Sequence, residues 1–180
     1  EEEGLSARVE TVAEMHLFEE LMQRTLAPAL FLYESAPAWL RRLELGPFPH
    51  ITSLQIEGKA AGIVVRLPPG LTFLKMNSTG YTLDGVAAAP LRVVKLESSD
   101  ISPAVFAENA LVDLEIKACP LHLHFQTPTT LRRLSVADSE LTLAISDGLE
   151  ALELSSYPRA AALTLPTSLT SLSTDVTVSM

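Results

Sequence analysis

Eight short segments, LRRLEL, ITSLQI, LTFLKM, LRVVKL, LVDLEI, LRRLSV, LEALEL and LTSLST, begin at Leu40, Ile51, Leu71, Leu91, Leu111, Leu131, Leu149 and Leu169. From Ile51 onward the step is nearly constant, and the first step, from Leu40 to Ile51, is about half as long. A period held that closely restricts the chain to a repeat architecture in which each unit is one supersecondary element. Within a unit, apolar residues at positions 1, 4 and 6 alternate with outward residues at 3 and 5, the period-2 pattern of a strand with one buried face. Leu74 and Met76 are therefore expected inside with Phe73 and Lys75 outside, and Leu114 and Ile116 inside with Asp113 and Glu115 outside. A lone unit has nothing to bury its leucines against. Neighbours must stack in register as a parallel sheet, one strand per repeat.

The pattern L-x-x-L-x-L resembles the leucine-rich repeat family, whose short repeats continue to an Asn or Cys at position 9. The resemblance implies an α/β solenoid with a parallel sheet on its concave face. Position 9 here is Thr79, Ser99, Cys119 and Ser139 in the four most regular units. Only Cys119 matches the family, and the hydroxyls are expected to form a small polar ladder bonded to the turn that leaves the strand. Leu67-Pro68-Pro69-Gly70-Leu71 and Leu165-Pro166-Thr167-Ser168-Leu169 resemble the short repeats of secreted bacterial effectors and of some protist proteins. The asparagine of the effector type is missing.

After position 9 the chain runs through Ile101, Leu121 and Leu141, then Val86, Phe106, Phe125, Ile145 and Leu165, all expected to close the core on the convex side. A unit of this length leaves too little chain there for an average helix and two turns. Pro68, Pro69, Pro90, Pro103, Pro120, Pro128, Pro158 and Pro166 all avoid the proposed strands, as a ladder that needs every N–H requires. Extended or 3₁₀ segments are expected on the return.

Residues 1–39 are read as an acidic segment, an amphipathic capping helix over 9–26 and a lead-in; residues 40–180 form the solenoid of about seven to eight strands, the whole being one domain. The short first interval calls for a tight loop around Gly46-Pro47-Phe48-Pro49. The alternating end from Thr174 to Met180 leaves an open parallel edge, where the chain either continues or pairs with a second copy as a homodimer. A start on Glu1 rather than Met suggests a processed protein or an excised segment.

The net charge is −9. Seven acids against one base in residues 1–20 account for −6 of it, which leaves −3 on the rest of the chain. With no Lys/Arg cluster the chain lacks the means to neutralise phosphates, so neither nucleic acid nor an anionic membrane is an expected partner. A single cysteine, Cys119, excludes an intrachain disulfide and favours a cytoplasmic setting, a secreted effector being the alternative. Cys119 is expected to be buried.

No cofactor, metal or catalytic group is assigned. Cys119-x-x-His122-x-His124 lacks a fourth zinc ligand within reach, the histidines are expected in water, and the phosphate-cradling and nucleophile-elbow motifs are absent. The expected role is a non-catalytic scaffold that binds a protein or peptide on the concave sheet face. A substrate-recognition region of a larger enzyme, such as a ubiquitin ligase, is the alternative, as is self-assembly through the C-terminal edge.

The rows of outward residues choose the surface. Phe73 beside Val93 breaks a polar pattern, Lys75, Lys95 and Arg92 flank the pair, and Asp113, Glu115 and Arg133 follow on the next strands. An apolar centre with a mixed-charge rim has the composition of a binding hot spot.

Overall fold

A computed structural model describes residues 5–7, 28–32, 40–119, 124–157 and 163–175. The strands are β1 Leu5–Ala7, β2 Ala29–Leu32, β3 Arg42–Glu44, β4 Ser53–Arg66, β5 Phe73–Asp84, β6 Val93–Glu97, β7 Asp113–Lys117, β8 His124–Gln126, β9 Arg133–Ala137, β10 Thr142–Ala144, β11 Ala151–Ser155 and β12 Ser171–Thr174. They wind into a parallel β-solenoid of about six turns. The main sheet runs β1-β2-β4-β5-β6-β7-β9-β11-β12, and every pairing is parallel.

Stacking rests on one backbone motif. In each coil the N–H groups at positions 2 and 3 both donate to the carbonyl at position 2 of the coil before. Arg92 and Val93 bond Thr72 O at 2.9 and 3.1 Å, Val112 and Asp113 bond Arg92 O at 2.8 and 3.1 Å, and Arg132 and Arg133 bond Val112 O at 2.9 and 3.0 Å. The motif locks the register before the ladder starts, and a register slip would turn every leucine outward. Residues at positions 1, 4 and 6, from Ile51, Leu54 and Ile56 to Leu149, Leu152 and Leu154, are at most 2% exposed. The prolines serve the turn into each strand. Leu71 N–H donates to Pro68 O, Leu131 N–H to Pro128 O and Leu169 N–H to Pro166 O at 3.2, 3.1 and 3.3 Å.

Leaving the strand requires a corner. Position 8 holds Ser98, Ala118, Asp138 and Ser156 at φ of 48°, 51°, 49° and 49°, a column of left-handed residues that are not glycine. Their N–H groups are held by the next coil: Ser98 by Lys117 O, Ala118 by Ala137 O and Asp138 by Ser155 O. At Ser156 the Asp175 carboxylate takes this place, at 2.8 and 3.0 Å. Just inside this corner lies the polar ladder. Ser139 Oγ donates to Ala137 O at 2.9 Å and accepts Cys119 N–H at 3.1 Å, and Ser99 Oγ accepts Ile101 N–H at 3.2 Å. Thr79 does not belong to it. β5 does not turn at position 8 but runs on to Gly80, so the buried hydroxyl of that coil is Ser78 and Thr79 is half-buried. Gly80, at φ 76°, packs so closely on the coil below that a Cβ would lie 2.1 Å from Ala60 O.

The return side contains no α-helix among the described residues and is more strand-rich than expected. β4 and β5 bend round the corner and continue on the second face, where β3 pairs with the far half of β4. Later coils substitute 3₁₀ turns at Val86–Ala88 and Pro103–Phe106, then the β8–β10 pair. Asn109 ties two coils there, its side-chain amide donating to Val86 O and Ala89 O at 3.0 and 2.8 Å. Val86, Phe106, Phe125, Ile101 and Leu141 are buried as expected, but Ile145 is half-buried and Leu165 is 41% exposed. Leu121 lies outside the described residues.

The Leu40 unit needs correction. Arg42 and Glu44 do not join the main rows, because β3 belongs to the second face: Arg42 pairs with Val64 and Glu44 with Arg66. The short interval from Leu40 to Ile51 is half a coil. The strand that precedes β4 in the main sheet is β2, with Ala29 opposite Ser53, in the stretch expected only to lead in. The tight loop at Gly46–His50 is present, with Phe48 N–H on Leu45 O and Ile51 N–H on Phe48 O. The capping helix of 9–26 and the end beyond Asp175 lie outside the described residues.

The corner column makes a stability prediction. An L-residue in the left-handed region costs about 1–2 kcal/mol, and glycine's extra unfolded-state freedom costs about 0.5–1 kcal/mol. Ala118→Gly is expected to gain up to about 1 kcal/mol, whereas the branched Ala118→Val loses stability. Urea denaturation at unchanged slope reads both. A loss in the glycine variant would contradict the corner geometry.

Candidate functional site

Unshifted register turns outward positions into straight rows across the main sheet. Position 3 reads Ser53, Phe73, Val93, Asp113, Arg133, Ala151 and Ser171; position 5 reads Gln55, Lys75, Lys95, Glu115, Ser135, Glu153 and Ser173. Position 7 adds Glu57, Asn77, Glu97, Lys117, Ala137 and Ser155. Phe73 and Val93 sit directly opposite one another and are half-buried. Next to them lies a shallow depression of about 380 Å³ lined by Phe73, Lys75, Lys95, Leu96, Glu97 and Glu115.

Of the residues the rows single out, Phe73, Lys75, Lys95 and Glu115 therefore meet in one depression. Val93 lies beside it as the partner of Phe73, while Arg92, Asp113 and Arg133 lie off its lining. The position 7 row is invisible to a reading that ends each strand at position 6. The opposite charges of Glu97 and Lys117, spaced by one repeat, are the signal in the sequence that could have found it.

The rim is largely engaged with itself. Lys95 Nζ meets Glu115 at 2.8 Å, Lys117 Nζ meets Glu97 at 3.1 Å, Lys75 Nζ approaches Glu57 at 3.8 Å, and Arg133 Nε approaches Asp113 at 3.8 Å. The hydrogen bond to Glu115 raises the pKa of Lys95 against the opposing effect of burial, and that to Glu97 raises Lys117. Exposed pairs of this kind contribute about 0–1 kcal/mol each. Their larger effect is to fix side-chain positions on the face.

Other chemistry is sparse. Cys119 is 1% exposed, its thiol donates to Lys117 O at 3.4 Å, and burial pushes its pKa up, which leaves it a poor nucleophile. His124 is exposed and His122 lies outside the described residues. His50 sits in the turn before β4 with its ring edge-on to Phe48, centroids 6.2 Å apart. Among the described residues no group of three His, Cys, Asp or Glu side chains is placed to hold a metal ion, and no helix is long and apolar enough to cross a membrane. A second depression, of about 430 Å³, lies where Glu44, Pro47, Arg66 and Leu67 meet on the other face. There Arg66 approaches Glu44 at 3.9 Å, while Arg42 bonds both Glu44 and Asp84.

No protein-family model, no curated protein and no solved structure matches this chain.

Proposed function

We propose that this chain is a non-catalytic interaction module, an irregular short leucine-rich repeat, that binds a protein or peptide across its main sheet face. The observation that carries the reading is the Phe73–Val93 pair beside a concave, charge-rimmed depression. Outward positions of a solvated sheet are ordinarily polar, and an aromatic residue framed by ordered charged side chains is what an interface core requires. A buried, inert Cys119 is compatible with a cytoplasmic protein. The same face would serve equally as the substrate-recognition region of a larger enzyme.

The test is the double variant Phe73→Ala with Lys95→Glu, compared with wild type in cross-linked capture from the native source. Neither residue is part of the inward core, so the circular dichroism spectrum and cooperative unfolding should survive. Loss of a hot-spot aromatic costs about 2 kcal/mol or more, which is about thirtyfold in affinity. Recovery of the same partners in equal yield by both proteins would eliminate this face as the site.

Self-assembly is a second reading, favoured by the last coil. Leu172 and Leu165 are 45% and 41% exposed, and β12 carries no charged residue to discourage edge pairing. Sedimentation between about 1 and 100 µM should then show a mass that grows with concentration and is abolished by Leu172→Lys. A constant monomer mass would eliminate this reading.

A further inference from the structure

Among the described residues, most cations of the main face are matched coil against coil, and the exceptions are Lys59, where β4 reaches the far corner, and Arg92, at the near border beside Val93. Lys75, Lys95, Lys117 and Arg133 each have a carboxylate partner, and Arg132 Nε has Glu150 at 3.5 Å. Arg92 is exposed, and among the described residues it has no ion-pair partner. Its row explains why. Position 2 reads Thr52, Thr72, Arg92, Val112, Arg132, Glu150 and Thr170. Arg132 finds an acid in the next coil and Gly148 O at 2.7 Å, whereas Arg92 stands between Thr72 and Val112. Its backbone is nonetheless fixed: the N–H bonds Thr72 O at 2.9 Å, and the carbonyl accepts Val112 and Asp113 N–H. The guanidinium is thus carried by a backbone held on both sides, one residue from Val93 and one strand from Phe73.

We infer that Arg92 anchors a single carboxylate of an extended acidic peptide whose neighbouring apolar side chain rests on Phe73 and Val93. This deepens, and depends on, the reading of the face as a protein-binding surface. Guanidinium offers a planar fork matched to a carboxylate, and bidentate pairing supplies direction as well as energy. The surrounding charges select against a polyanion. Around Arg92, the cations Lys75, Lys95, Lys117 and Arg133 are already engaged by Glu57, Glu115, Glu97 and Asp113, so the face offers no run of free cations along which a phosphate chain could be neutralised. One acid at the border of the sheet, joined to an apolar group further in, satisfies both features.

A random peptide library displayed on phage, selected on the wild-type protein and counter-selected on Phe73→Ala, supplies the probes. Selected sequences are then synthesised with each Asp or Glu kept or changed to its amide, and binding is measured by fluorescence anisotropy. The expected peptides carry an acid beside an aromatic or aliphatic residue. The amide change should weaken binding to wild type by about tenfold or more and have little effect on Arg92→Gln. Peptides that need Phe73 yet tolerate the amide, or an acid dependence that persists in Arg92→Gln, would leave the binding face standing and overturn the anchor. Tighter Arg92-dependent binding of phosphopeptides, RNA or anionic vesicles would also overturn it. If no peptide distinguishes wild type from Phe73→Ala, the protein-binding reading falls, and the anchor with it.

Discussion

The whole molecule depends on the shared acceptor at position 2, the carbonyl that takes two N–H groups from the next coil. It sets each strand on its predecessor without a shift, so chemistry repeated along the chain becomes chemistry aligned in space. The inward consequence is a continuous stack of leucine, isoleucine and valine that no single coil could form. The outward consequence is the set of rows that place Phe73 against Val93 and each of Lys75, Lys95 and Lys117 within reach of an acid one strand away. Core and surface are two products of one register.

Closing each coil conflicts with local preference, and the structure resolves it in two ways. Early coils use glycine: β4 and β5 bend at Gly62 and Gly80 and proceed as strands on the second face. Later coils end the strand at a left-handed Ser, Ala or Asp whose N–H is captured by the following coil. The strain is supported by stacking and is tolerable only inside the array. The Ser99, Cys119 and Ser139 ladder lies directly behind this corner and satisfies the backbone groups that the turn exposes.

Much of this is legible in the sequence because periodicity reports burial directly. The inward set from Leu71 to Leu154 follows from spacing alone. Periodicity does not report which side of a coil a strand occupies: LRRLEL buries Leu43 and Leu45 as its pattern demands, yet on the second face. β2, with the run ALFL, shows no alternation and so reads only as a lead-in. The misplacement of Thr79 arises at Gly80, which lets the strand run past the usual corner. At the site, the apolar pair and its lysines are evident from the rows, whereas the pairing of nearly every rim charge, and so the contrast with Arg92, requires three-dimensional neighbours.

Distances along the sheet test the register most directly. With Cys119 replaced by Ser to fit the hydroxyl ladder, spin labels at Gln55 and Ser135 are separated by four strand steps, and at Gln55 and Ser173 by six. At about 4.8 Å per step, pulsed dipolar spectroscopy should give separations near ~19 and ~29 Å, in the ratio of the steps. A ratio far from this, or separations that grow by the ~8–10 Å of packed helices, would contradict the stacked register and the aligned face built on it.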